Sequence, residues 1–285
     1  MARARGSPAE RVRERLRALG GDEAARAIPV GHHRIGRVLI VRLPESARPH
    51  FAEIGRAYRE VVGADAVLRY RGPAGGERRL PNLERIAGTS TETVVTEHGV
   101  RYRLDAARAM FSRGNAAERA RAGTVTRAGE TVVDLFAGIG YFVVPALAIG
   151  RAARAYAVEE NPESYRFLLE NLRANGVSDR AVALLGDNRE VPLPVDAADR
   201  VFLGLLPTSV PWIPLALRLA RPGATLHVHL IVDSRDDRRR GIAEVEAAIG
   251  AAGGHVESSA SRRVKAYGPG RSHVGVDAVV TPRAE

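Results

Sequence analysis

Two acids and two glycines in one stretch of the chain have the spacing of a nucleoside-binding turn. Asp134 falls within an apolar run at 131–135, and Leu135-Phe136-Ala137-Gly138-Ile139-Gly140-Tyr141-Phe142 follows it. Gly138 and Gly140 carry no side chain, so a ligand can approach the backbone closely there. Glu159 closes the next apolar run, 153–158, and lies 21 residues past Gly138. In doubly wound nucleotide folds that is the usual reach from the glycine turn to a ribose diol. A bare strand-to-helix turn accounts for the glycines but not for the second acid.

The spacing also sorts the adenosine ligands. A dinucleotide fingerprint wants a third glycine three residues after the second, and Val143 stands there. A P-loop needs a lysine after its last glycine, but the only lysine is Lys265. S-adenosylmethionine (SAM) fits better. Asp134, the short glycine turn and Glu159 suit a ligand with an ammonium, a sulfonium and a ribose.

In open α/β sheets the ligand lies beyond the carboxyl ends of the strands, and further candidates fall there. Asp187 and Asn188, after a third expected strand, can hydrogen-bond an adenine amine and ring nitrogen. Asp187 equally suits a turn or cap. A fourth strand ends in Leu203-Gly204-Leu205-Leu206-Pro207-Thr208-Ser209. Nucleic-acid amino-methyltransferases place an Asn or Asp before a Pro-Pro-aromatic run here. This loop has no polar group before its proline, which disfavours methylation of an exocyclic amine. Pro207, Thr208 and Tyr141 are candidate substrate contacts, while Thr208 and Ser209 equally suit capping of the next helix. His227 and His229 stand two apart on a strand and share a face. They read as a hydrogen-bonded pair near the cofactor, because no third metal ligand is evident. No metal site is expected from these residues, and no general base is evident among them.

The elements that position these groups are legible from periodicity. From Glu130 onward strands are expected at 131–135, 153–158, 180–185, 199–203 and 224–232, with helices at 141–149, 161–175, 209–220 and 237–252. Strands at 255–265 and 273–280 close the chain. This alternation predicts a class I α/β architecture, Rossmann-like, with a mostly parallel sheet and an antiparallel edge strand. A small α+β domain precedes it: a strand at 35–43, a helix at 47–62, a strand at 66–70, a Gly/Pro/Arg-rich loop at 72–81, and strands at 93–96 and 100–104. A helix is expected at 116–123, and a basic one at 9–19, where Val12, Leu16 and Leu19 share a face. The expected domains are a helical extension at 1–28, the α+β domain at 29–106 and the SAM-binding domain at 107–285.

Net charge is +10 over 285 residues, and it is one-sided. Residues 1–127 carry 25 arginines against 14 acids, whereas 128–285 are close to neutral. Such asymmetry is the electrostatic footprint of a polyanion partner. The absence of cysteine excludes disulfides and thiolate metal sites. No apolar run approaches a membrane span and no apolar signal core follows the N-terminus, so a cytoplasmic protein is expected, monomeric by default.

Several segments, in this order, resemble one group of enzymes. They are Phe111-Ser112-Arg113-Gly114-Asn115 with Glu118-Arg119, the turn from Asp134 to Phe142, Glu159-Glu160-Asn161-Pro162 and Gly186-Asp187-Asn188-Arg189. They continue through Leu203–Pro207 and Leu226-His227-Val228-His229 to Val264-Lys265-Ala266-Tyr267-Gly268-Pro269 with His273-Val274. The chain resembles the tRNA guanine-N1 methyltransferase and wybutosine-synthesis superfamily, most of all its tRNA aminocarboxypropyltransferase branch. The methyltransferase branch shows Asn-Leu-Pro where this chain has Leu205-Leu206-Pro207. The resemblance implies that Ser112, Arg119, Glu159, Asp187 and Asn188 contact SAM, with Arg119 on the methionine carboxylate. It implies an acceptor carbon on the side chain of a tricyclic guanine derivative beside the tRNA anticodon. Guanine-N1 methylation, SAM cyclisation to a small amino acid, and SAM or RNA binding without turnover remain the alternatives at this point.

Overall fold

The protein is described by a computed structural model covering residues 6–75 and 80–282. The chain divides into two compact units, Met1–Thr96 with Arg103–Phe111, and Glu97–Tyr102 with Ser112–Glu285.

The first unit opens with α1 (Pro8–Ala18) and α2 (Asp22–Arg26). Ser7 caps α1 in a reciprocal box with Glu10, and Pro8 takes the first turn, where a missing N–H costs nothing. β1 (His33–Ile35), β2 (Val38–Val41), α3 (Phe51–Val62), β3 (Ala66–Gly75) and β4 (Leu80–Gly88) follow. The sheet order is β1-β2-β3-β4, with β2 and β3 parallel and the outer pairs antiparallel. α1 is part of this unit's core: Val12 and Leu16 are fully buried in one cluster with Ile54 and Tyr58 of α3.

Three details differ from the sequence expectation, each for a local reason. Leu19 lies beyond the end of α1 and is 57% exposed, so it does not share the buried face. The single strand expected at 35–43 is two, because Gly36 takes a positive φ of 53° and turns the chain between β1 and β2. The loop expected at 72–81 is largely strand: β3 runs to Gly75 and β4 starts at Leu80, while 76–79 lie outside the described residues. The Gly and Pro content there masked an antiparallel pair.

β5 (Glu92–Glu97) and β6 (Val100–Asp105) form a two-stranded sheet, turned at His98 and Gly99, both at positive φ. The second unit then alternates: α4 (Ala116–Val125), β7 (Thr131–Asp134), α5 (Val143–Ala148), β8 (Arg154–Glu159), α6 (Pro162–Ala174) and β9 (Ala181–Leu185). It continues with β10 (Ala198–Leu203), α7 (Ile213–Leu219), β11 (Ala220–Asp233), α8 (Asp237–Ala251), β12 (His255–Gly268) and β13 (Arg271–Thr281). Seven strands make one sheet in the order β12-β13-β11-β10-β7-β8-β9. β11, β10, β7, β8 and β9 run parallel, and β13 is antiparallel to both β11 and β12. The central strands are nearly continuous apolar runs, as burial on both faces requires. Val133, Val201, Leu203, Leu226 and Val228 pack into one core with Ile213, Val245 and Ile249 of the helices. No helix of the described residues is long and apolar enough to cross a membrane.

Burial of α1 carries a stability expectation. Leu16→Ala should lower unfolding free energy by about 2–5 kcal/mol, the usual cost of a core cavity. A urea melt measures it, and a change near zero would mean that α1 is detached in solution.

Candidate active site at the carboxyl ends of the central strands

β7 lies between β8 and β10, so the sheet order reverses at its carboxyl end. That end carries the glycine turn. Gly138 and Gly140 both hold positive φ, 57° and 99°. A Cβ on Gly138 would lie 2.5 Å from the Tyr141 ring, and one on Gly140 2.5 Å from Val144 Cγ2. Both positions therefore exclude a side chain for reasons internal to the turn.

Glu159, at the end of β8, reaches across to this turn. Its Oε2 accepts the Gly138 N–H at 2.7 Å, and its Oε1 accepts the Asn161 N–H at 2.9 Å. Burial raises the carboxyl pKa, and the two N–H groups pull it back. Asn161 caps α6 through Glu163 N–H at 3.0 Å, as its sequence position suggests. Asp134 lies beneath, fully buried, accepting the Phe136 N–H at 3.2 Å. Burial and the neighbouring Glu159 push Asp134 up to about 7. In this conformation its carboxylate serves the turn backbone and has no exposed surface.

Asn188 anchors the same turn from β9's side: its Nδ2 donates to Leu135 O at 2.8 Å. Its Oδ1 is buried with no hydrogen-bond partner among the described residues. Asp187 is held differently, in a two-pronged pair with Arg189 Nε at 2.9 and 3.1 Å. That pair is part-exposed and weak in water.

Arg119 is 3% exposed on α4. Its Nε donates to Glu97 Oε2 at 2.7 Å, and its Nη1 donates to Ser112 O at 3.0 Å. Sequence reasoning missed Glu97, because its partner comes from a distant element and no spacing signals it. Lys265 Nζ donates to Ser112 Oγ at 2.8 Å. Tyr141 joins the two halves of the site. Its ring covers Gly138, its carbonyl faces the Tyr102 hydroxyl at 3.4 Å, and its phenol feels both Arg119 and Glu159.

The loop after β10 is internally satisfied. The single Ser209 O–H is shared between Leu203 O and His229 O, at 2.8 and 2.9 Å, and its oxygen accepts the His229 N–H at 3.2 Å. Thr208 Oγ1 accepts the Val210 N–H at 3.2 Å, a capping contact, and Pro207 O accepts the Ile231 N–H at 2.7 Å.

His227 and His229 do not bond each other, contrary to the expected pair. On neighbouring same-face positions of β11 each reaches a partner on another strand. Arg200 Nη1 donates to His227 Nε2 at 2.7 Å; arginine has no acceptor, so His227 Nδ1 carries the proton toward Asp277 Oδ1 at 2.6 Å. His229 Nδ1 meets His273 Nε2 at 2.8 Å, and its ring stacks on Phe142 with centroids 5.4 Å apart. Phe142 also stacks on Phe202, so its ring is engaged in packing. Arg262 closes the network through Glu118 at 2.8 and 2.6 Å and Asp277 at 2.9 Å. No metal-holding cluster occurs among the described residues.

Sheet order, glycine turn and second acid together define the class I SAM-dependent transferase fold. The chain belongs to the TRM5/TYW2 methyltransferase domain family, matching it over residues 93–255, and it matches the TYW2 N-terminal domain over residues 12–91. It is 37% identical to the tRNA(Phe) (4-demethylwyosine(37)-C(7)) aminocarboxypropyltransferase of Pyrococcus horikoshii, over 94% of this chain and 95% of that protein. The crystal structure of P. horikoshii TYW2 in complex with MeSAdo aligns with TM-score 0.86 and 34% identity, covering 96% of this chain and 100% of that one. The complex structure of aTrm5 and tRNALeu aligns with TM-score 0.78 and 27% identity, over 98% of this chain and 79% of that one.

The buried histidines set an acid limit. Burial pushes His229 and His273 down to about 3 from an ordinary 6.5. The unfolded chain takes up protons below pH 6.5 that the fold refuses, so their contribution is whole above that pH and is lost toward pH 3. Each such proton steepens the loss by about 1.4 kcal/mol per pH unit. His273→Gln should therefore lose stability less steeply than the parent between pH 6 and 4 in urea melts. Parallel profiles would contradict it.

Proposed function

We propose that the protein transfers the 3-amino-3-carboxypropyl group of SAM to the C7 carbon of a wyosine-type guanosine beside the tRNA anticodon. The observation that carries this reading is the match through both units to an aminocarboxypropyltransferase, 37% identical over 94% of the chain. The cofactor reading fits the residues present. Asn188 Oδ1 is a buried acceptor with no hydrogen-bond partner among the described residues, the kind of group an adenine amine satisfies. Glu159 uses one acceptor site on each oxygen for the backbone and keeps others for ribose hydroxyls. Arg119 and Glu97 together offer both signs of charge to a zwitterionic amino-acid end. The Asp187 contact with adenine requires the Arg189 pair to open, at small cost for a part-exposed pair.

When bound, SAM would supply an electrophilic γ-carbon for a carbon–carbon bond to C7, with methylthioadenosine leaving on the sulfur that keeps the electron pair and the C7 proton passing to solvent. The protein's part is orientation, which supplies much of the barrier reduction. Arg119 and Ser112 fix the amino-acid end so that the γ-carbon, rather than the methyl group, faces the acceptor. Glu159, Asn188 and the glycine turn hold the nucleoside end. The tRNA reading rests on the arginine excess of residues 1–127 and on a solved relative in complex with tRNA. Stacking of a splayed base and phosphate contacts are the recognition such a substrate calls for. The alternative, guanine-N1 methylation, lacks support at Leu205-Leu206-Pro207, where no polar group precedes the proline.

The products separate the two readings. With SAM labelled in its amino-acid chain and tRNA bearing 4-demethylwyosine, label should enter RNA with one methylthioadenosine released per transfer. Release of S-adenosylhomocysteine, with unlabelled RNA, would overturn the reading in favour of methylation.

A further inference from the structure

Lys265 is the one lysine among 43 basic side chains. A compositional preference for arginine explains the other 42, but not the exception. The residue sits on β12, paired in register with His273 of β13. Its stem lies against the backbone of Gly114: a Cβ there would be 3.0 Å from Lys265 Cδ and 3.7 Å from Nζ. Its ammonium reaches Ser112 Oγ at 2.8 Å.

The direction of that hydrogen bond is settled by chemistry. An ammonium has three donors and no acceptor, so Ser112 Oγ accepts. The serine hydroxyl cannot return its own proton to Lys265 and must donate elsewhere. Ser112 is also fixed on its other side, where Arg119 Nη1 donates to its carbonyl oxygen at 3.0 Å. Two cations thus clamp one residue, one on the carbonyl and one on the hydroxyl. What the clamp leaves available is a single O–H donor beside the Lys265 ammonium and an Arg119 guanidinium that also answers to Glu97, an arrangement suited to a carboxylate. An arginine at position 265 would bring a broad planar fork across the tight passage beside Gly114, and it would present several fixed donors where one compact charge is needed.

We propose that Lys265 is a positioning residue for the amino-acid end of SAM: it turns the Ser112 hydroxyl into a donor toward the α-carboxylate and adds charge beside it. The proposal rests on the cofactor reading above and deepens it. Lys265 works with Arg119 to decide how the methionine chain lies, and through that which carbon on sulfur faces the acceptor.

Calorimetry on the full chain with two ligands tests it, because methylthioadenosine shares the nucleoside end of SAM and lacks the carboxylate. K265M should weaken SAM by about tenfold or more, and methylthioadenosine by less than about twofold. K265R should recover less than half of the lost SAM affinity on a logarithmic scale. Ser112→Ala should give a SAM-selective loss of its own, and adding K265M to it should cost less than K265M alone. Should K265M fail to fold, the selectivity of Ser112→Ala carries the test. Equal losses for both ligands, no loss, or wild-type affinity in K265R would each overturn the proposal while leaving the cofactor reading standing. A parent chain that binds neither ligand would overturn the cofactor reading, and this proposal with it.

Discussion

A carboxylate bonded to the backbone of a glycine turn is the constraint on which the second unit depends. Glu159 reaches Gly138 N–H only because β8 lies parallel to β7 in a register that brings their carboxyl ends level. That register requires the α5 crossover, and α5 in turn starts from the same turn. Burying the carboxylate is costly on its own. Two backbone donors offset that cost and fix the position of the Glu159 carboxylate. The positive φ values of Gly138 and Gly140, and the Tyr141 ring lying over the first of them, follow from the same arrangement.

Net charge suggests a polyanion partner, but several of the most buried arginines answer to internal acids. Arg119 pairs with Glu97, Arg200 with Glu130, and Arg262 with Glu118 and Asp277. Each joins segments that are distant in the sequence. In the first unit Arg69 does the same with Glu84 and the Leu43 carbonyl. Removing one partner of such a pair strands a buried charge, which is far more damaging than losing an exposed pair. The arginines available to RNA are therefore a subset of those counted in the sequence.

The parallel half of the fold was legible because its strands are apolar runs separated by glycine, acid and proline signals. Asp134, Gly138, Glu159 and Asn188 could be named from spacing alone, and hydrogen bonds do tie them to one turn. What spacing could not show were partners set by tertiary pairing. Glu97 meets Arg119 through the β5–β6 turn, and Lys265 meets Ser112 across 153 residues. The histidines of β11 were correctly placed on one face, but their partners lie on β10 and β13. In the first unit β4 was missed, since Pro81 and Gly88 bracket a strand whose charged residues hide its alternation.

The central claim is that Glu159 serves the turn and the nucleoside together, and affinity in Glu159→Gln tests it most directly. Glutamine keeps the size, loses the charge and leaves one fewer acceptor for two backbone donors and a ribose diol. Calorimetry should show SAM and methylthioadenosine weakened together, by about 1.5–3 kcal/mol, since both carry the ribose. Unchanged affinity for both ligands in a folded variant would contradict the account.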